Sequence, residues 1–154
     1  MGRTDERPLS ERHIRATHEV LIALPNSSYE DTVARISALE EADRRFFRHT
    51  RSLWIARCDT LDLRLTSARF YGRPLNECEA LLAQRIALGF VDLYDEVLYV
   101  GAHALYCGEM ARPDLARHYL RDLVEKVDDA CARGEPFDSA CAASLRRNLA
   151  ELES

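Results

Sequence analysis

The chain has 154 residues, a net charge of −5 and a pI near 5.6, with 47% apolar and 31% charged residues. That mix excludes wholesale disorder. The acidic balance leaves no overall basic surface of the kind a general nucleic-acid binder needs, so nucleic acid is not an expected partner.

The N-terminal stretch MGRTDERPLSERH has no apolar core of the signal-peptide kind, which leads us to expect a cytoplasmic protein. Residues 1–8 are charged and expected to fray. From Leu9 to Leu24 a short helix is predicted, with Ile14, Thr17, Leu21 and Leu24 on one stripe and Pro25-Asn26 as its stop. Ser27 followed by Glu30 then forms a capping box, in which each side chain answers an orphan backbone N–H.

One long helix is predicted over residues 28–70, because Val33, Ile36, Leu39, Phe46, Leu53, Leu61, Leu65 and Ala68 recur at helical steps. Phe47, Trp54 and Leu63 widen its apolar stripe. Gly72-Arg73-Pro74 breaks it, since glycine suits a helix end and proline cannot continue one. A second long helix is predicted over residues 75–107, where Leu82, Ile86, Gly89, Leu93, Val97, Val100, Ala104 and Cys107 trace a bundle or coiled-coil seam. At 1.5 Å per residue it would be roughly 50 Å long. Such a helix must bury its seam against its neighbour or another chain.

A break over Gly108–Pro113 precedes a helix carrying Leu115, Tyr119, Leu123, Val127 and Ala130. Gly134-Glu135-Pro136 ends it, and Asp138 caps a last short helix. The predicted fold is all-α: an antiparallel long-helix hairpin or elongated helical bundle. Its expected parts are a short N-terminal helix over 1–26, the long hairpin over 27–108, and a C-terminal hairpin over 109–154 packed on the same domain. No apolar run approaches the ~20 residues that span a bilayer, so no transmembrane segment is expected.

The chemistry-bearing residues form no recognisable reaction site. A di-metal carboxylate bundle needs Glu-x-x-His on inward faces, and no histidine here has an acid three residues away. His18-Glu19 lacks the second histidine of a zinc protease motif. The five cysteines are an odd number, widely spaced, and read as reduced thiols; Cys107, Cys131 and Cys141 fall on apolar stripes and are expected as buried small side chains. No catalytic residue, cofactor or metal ligand is therefore expected. Glu40→Arg44 and Glu41→Arg45 are expected to pair along one helix face.

At the junction Phe70-Tyr71-Gly72-Arg73-Pro74-Leu75-Asn76-Glu77, followed by Gln84 and Phe90, the sequence resembles the phasins, proteins that coat polyhydroxyalkanoate granules. The resemblance covers about residues 28–108. It implies a non-enzymatic amphipathic protein on a hydrophobic polyester surface, on storage granules in the cytoplasm. The other readings are a helical adaptor or dimeric protein-interaction module, and a metal-binding helical bundle. The expected interaction surface or seam is Phe46, Phe47, Leu53, Trp54, Leu82, Ile86, Leu93 and Val100, with a granule surface or protein as partner and self-association into a homo-oligomer.

Overall fold

The structure is a computed structural model that describes residues 5–154. Seven α-helices and a short 3-10 turn, with no strand, are present among the described residues, so the fold is all-α as expected. The chain divides into two compact units, one ending at Leu88 and one running Gly89–Ser154. This differs from the expected boundaries, because both long helices of the predicted hairpin are interrupted.

The first unit contains α1 (Arg7–Ala23), α2 (Tyr29–Phe46), α3 (Thr50–Phe70) and α4 (Leu75–Leu88). Helix α1 packs on both α2 and α3, and α3 packs on α4. Val20, Ile36 and Leu63 bring α1, α2 and α3 together in an apolar centre. The expected stripe on α1 is displaced: Ile14 and Leu21 are exposed, while His13, Val20 and the following Leu24 are buried. A histidine at a core position disguised the buried face. Of the charged start expected to fray, residues 1–4 lie outside the described residues, Glu6 is buried and Arg7 is already helical.

Helix α2 starts one residue later than the capping box implied, with Ser28 Oγ accepting the backbone N–H of Asp31 at 3.1 Å. It stops at Phe46 although neither glycine nor proline is near. Phe47 takes an extended conformation and drops into the core, its ring 6.2 Å from that of His13. The N–H groups of Arg48 and His49 then donate to the Glu6 carboxylate at 2.7 and 3.1 Å. Glu6 thus supplies, from a distant part of the chain, the acceptor that the start of α3 requires. Burial opposes its charge, but the two backbone N–H groups, the His49 ring and the Ser52 hydroxyl outweigh that and lower its pKa below 4.5.

The junction after α3 forms as predicted. Gly72 has φ +64°, and the Arg73 N–H returns to the Ala68 carbonyl at 2.9 Å. Tyr71 reaches back so that its hydroxyl lies 2.8 and 2.6 Å from the carbonyl oxygens of Leu24 and Ser27. The second predicted long helix ends at Leu88, where Gly89 takes φ +83°, and a new helix starts with Asp92 accepting the Asp95 N–H at 2.8 Å. Gly89 is a helix stop rather than a seam residue.

The second unit contains α5 (Leu93–Glu109), α6 (Pro113–Ala132) and α7 (Ser139–Glu153), with α6 packed against both others. The buried face of α6 is Ala116, Leu120, Leu123, Val127 and Ala130, the alternating three- and four-residue spacing of a bundle seam, while Leu115 and Tyr119, expected on that face, lie at its edge and are half-buried. A Cβ on Gly101 of α5 would meet Leu123 Cδ1 at 4.0 Å, so α5 and α6 approach closely there. Ion pairs border the packing, among them Lys126–Glu96 at 2.6 Å and Arg146–Asp128 at 2.6 Å. Pro113 opens α6, and Asp138 caps α7 by accepting the Cys141 N–H at 2.7 Å, both as expected. No helix among the described residues is long and apolar enough to cross a membrane.

Two local expectations need correction. Cys107 is buried, but Cys131 is exposed and Cys141 half-buried, while Cys58 and Cys78 are buried. Arg44 pairs with Glu41 at 2.7 Å, one step closer than expected, because Glu40 is taken by Arg64 from α3.

Candidate functional site

The eight residues expected to form one surface or seam are divided. Phe46, Phe47, Leu53, Trp54, Leu82 and Ile86 belong to the first unit, and Leu93 and Val100 to the second. Phe47, Leu82 and Val100 are buried and so are core rather than interaction surface. Leu53, Trp54 and Leu93 are half-buried, and the Trp54 indole N–H donates to the Leu88 carbonyl at 2.8 Å, tying α3 to the end of α4. Phe46 and Ile86 remain exposed. Adjacent aromatics at 46 and 47 diverge because the helix ends between them.

The first unit holds a charged group that the sequence did not signal. His13, only 4% exposed, places Nδ1 3.0 Å from the carboxylate of Asp43 on α2 and Nε2 3.1 Å from Asp59 on α3. Burial pushes the imidazole pKa down, but hydrogen bonds and charge from both carboxylates outweigh it and hold the pKa up at about 9, against an ordinary 6.5. The ring is therefore an imidazolium at neutral pH, with both N–H groups donating. It has no lone pair for a general base, and each N–H is held by a carboxylate oxygen. A cavity of about 80 Å³ adjoins it, lined in part by Ser10, Ser52, Ile14, Ile55 and the half-exposed Asp59. The arrangement fastens α1 to α2 and α3. A second cavity of about 120 Å³ is lined by carboxylates and guanidiniums together, Glu40 and Asp43 with Arg44 and Arg57, and favours neither sign of ligand charge.

The second unit carries the more open feature. On α5, Tyr94, Leu98 and Leu105 are 45%, 49% and 56% exposed. At about 100° per residue these positions fall within a wedge of roughly 40° around the helix axis, opposite the buried stripe that meets α6. They extend over roughly 17 Å at 1.5 Å per residue. The periodicity that revealed a seam on this helix followed Leu93, Val97, Val100, Ala104 and Cys107 and passed over Leu98 and Leu105, which form this second apolar face. At its N-terminal end Tyr94 meets Phe137 from the loop before α7, with ring centroids 6.3 Å apart and planes inclined at 53°. The two rings form one side of a cavity of about 480 Å³ that Asp92, Glu135, Pro136 and Asp138 also line.

No protein-family model, curated protein or solved structure matches the chain.

Proposed function

We propose that this protein is a helical interaction module whose partner protein docks on the outer face of α5. The observation that carries the reading is the alignment of three large exposed apolar side chains, Tyr94, Leu98 and Leu105, on one narrow face. Scattered exposed apolar residues need no explanation, but an aligned stripe is the kind of surface that a partner helix or groove covers. A polyester-granule coat is a second reading, because the same side chains would adsorb to a hydrophobic surface. The adaptor reading is favoured because Phe47, Leu82 and Val100, central to the continuous face that a granule coat would use, are committed to burial.

The test is a double substitution, Leu98→Asp with Leu105→Asp, on a face that makes little contribution to the core. Helicity should be unchanged. A partner identified by capture and then reconstituted from purified components should bind the variant at least roughly a hundredfold more weakly, as loss of central anchors does elsewhere. A second copy of the chain is the first partner to examine, through concentration-dependent mass that the variant abolishes. Full binding by the variant would overturn the reading. Selective, saturable binding of the wild type, but not the variant, to polyhydroxybutyrate particles would transfer the face to the granule reading.

A further inference from the structure

We infer that the partner segment docking on α5 carries a lysine or arginine whose charged head seats in the corner between Tyr94 and Phe137. The inference rests on the interaction reading and specifies the chemistry of the partner.

Three independent features of the second unit converge on a cation. The first is shape. Two aromatic rings, inclined at 53° with centroids 6.3 Å apart, meet at a corner that lines a cavity of about 480 Å³, within the range of pockets that hold a ligand group. A cation within about 6 Å of both ring centres would be attracted by the negative faces of both π-systems. The second is charge. Asp92, Glu135 and Asp138 line the cavity and no basic side chain does. Arg133 reaches the exposed Glu135 at 3.0 Å, but Asp92 and Asp138 each spend one oxygen on a backbone N–H and keep the other. The third is position. Tyr94 belongs both to the corner and to the apolar stripe that continues through Leu98 and Leu105. An amphipathic partner laid along that stripe would bring one side chain to the corner.

Helix N-termini ordinarily attract anions, and α5 and α7 both begin at this cavity. Here the capping carboxylates already accept the N–H groups of Asp95 and Cys141. The caps therefore turn two anion-seeking helix ends into acidic walls. The apolar bodies of Tyr94, Phe137 and Pro136 suit the methylene stem of lysine or arginine, which packs against apolar surface while its head keeps polar company.

The experiment titrates N-acetyl-lysine methylamide into the full chain and follows the ring resonances of Tyr94 and Phe137 by NMR. The trimethyllysine, arginine and norleucine amides serve as comparisons. The cationic amides should give saturable shifts centred on the two rings, and norleucine, which keeps the stem but lacks the charge, should bind at least roughly tenfold more weakly. Tyr94→Ala and Phe137→Ala should each abolish saturation. Asp138→Asn, which retains a capping oxygen and so the fold, should weaken binding severalfold. Equal shifts from norleucine, or no saturable shift from any cationic amide at tens of millimolar, would overturn the inference. In that event, loss of the reconstituted partner through Leu98→Asp with Leu105→Asp would leave the interaction reading standing, so the two failures are distinguishable.

Discussion

The two units of this chain solve the same packing problem with different chemistry. Seven of the eight buried polar or charged side chains found among the described residues lie before Leu88, and His103 is the eighth. The first unit joins its helices with directional contacts: His13 between Asp43 and Asp59, Glu6 on the N–H groups of Arg48 and His49, and Arg85 on Asp62 at 3.0 Å. The second relies on a regular apolar face on α6 and places its ion pairs at the edges. Buried ion pairs add little net stability over a well-packed apolar contact, but removing one partner strands the other in a low-dielectric site. Apolar packing is less specific and more tolerant. The first unit should therefore be the more vulnerable to single changes of charge, and the second should keep its structure while its outer face varies.

The strongest way to break this comparison is His13→Ala. It leaves Asp43 buried without its imidazolium and should cost roughly 3–5 kcal/mol. Chemical denaturation would measure the loss, and hydrogen exchange should locate it in α1, α2 and α3 while the amides of α6 stay protected. Equal loss of protection in both units would show that they unfold as one.

Raising the pH should have the next largest effect. The His13 pKa is about 9 folded against 6.5 unfolded, so its contribution is fully present below about pH 6.5 and is lost as pH rises through about 9. At about 1.4 kcal/mol per pKa unit the loss amounts to roughly 3 kcal/mol. It should disappear from the pH dependence of the His13→Gln variant, and a wild-type stability that is flat between pH 7 and 10 would contradict the clamp.

The smallest effect sharpens the view of the second unit. Ala111, between α5 and α6, has φ 58°, the left-handed region that a Cβ disfavours. Ala111→Gly should raise stability by roughly 1 kcal/mol, read as a small increase in melting temperature, less the entropy glycine adds to the unfolded chain.

Much of the fold was readable from local signals. Gly72-Arg73-Pro74, Pro113 and Asp138 mark element ends through backbone chemistry contained in a few residues, and each acts in the structure as that chemistry requires. Gly89 followed by Asp92-x-x-Asp95 was an equally local signal, overlooked because the surrounding apolar spacing continued through it. The candidate site was less readable. Tyr94 and Phe137 are far apart in the chain, and nothing in either segment states that their rings meet. Leu98 and Leu105 fall outside the seam traced by Leu93, Val97, Val100, Ala104 and Cys107, and nothing in their spacing says whether that second face is covered.

What the sequence by itself determined was the all-α class and the ends of the helices that carry glycine, proline or capping side chains. These follow from hydrogen bonding and steric limits within one or two turns. Only the tertiary structure decided that the chain turns at Phe47 with no breaker residue, that a histidine occupies a core position, and that the outer stripe of α5 is left uncovered. The first two depend on groups brought from elsewhere in the chain: a carboxylate from Glu6 to accept two freed N–H groups, and two carboxylates from positions 43 and 59 to keep an imidazolium buried. Burial and charge stabilisation belong to the assembled surroundings of a residue, and local spacing does not specify those surroundings.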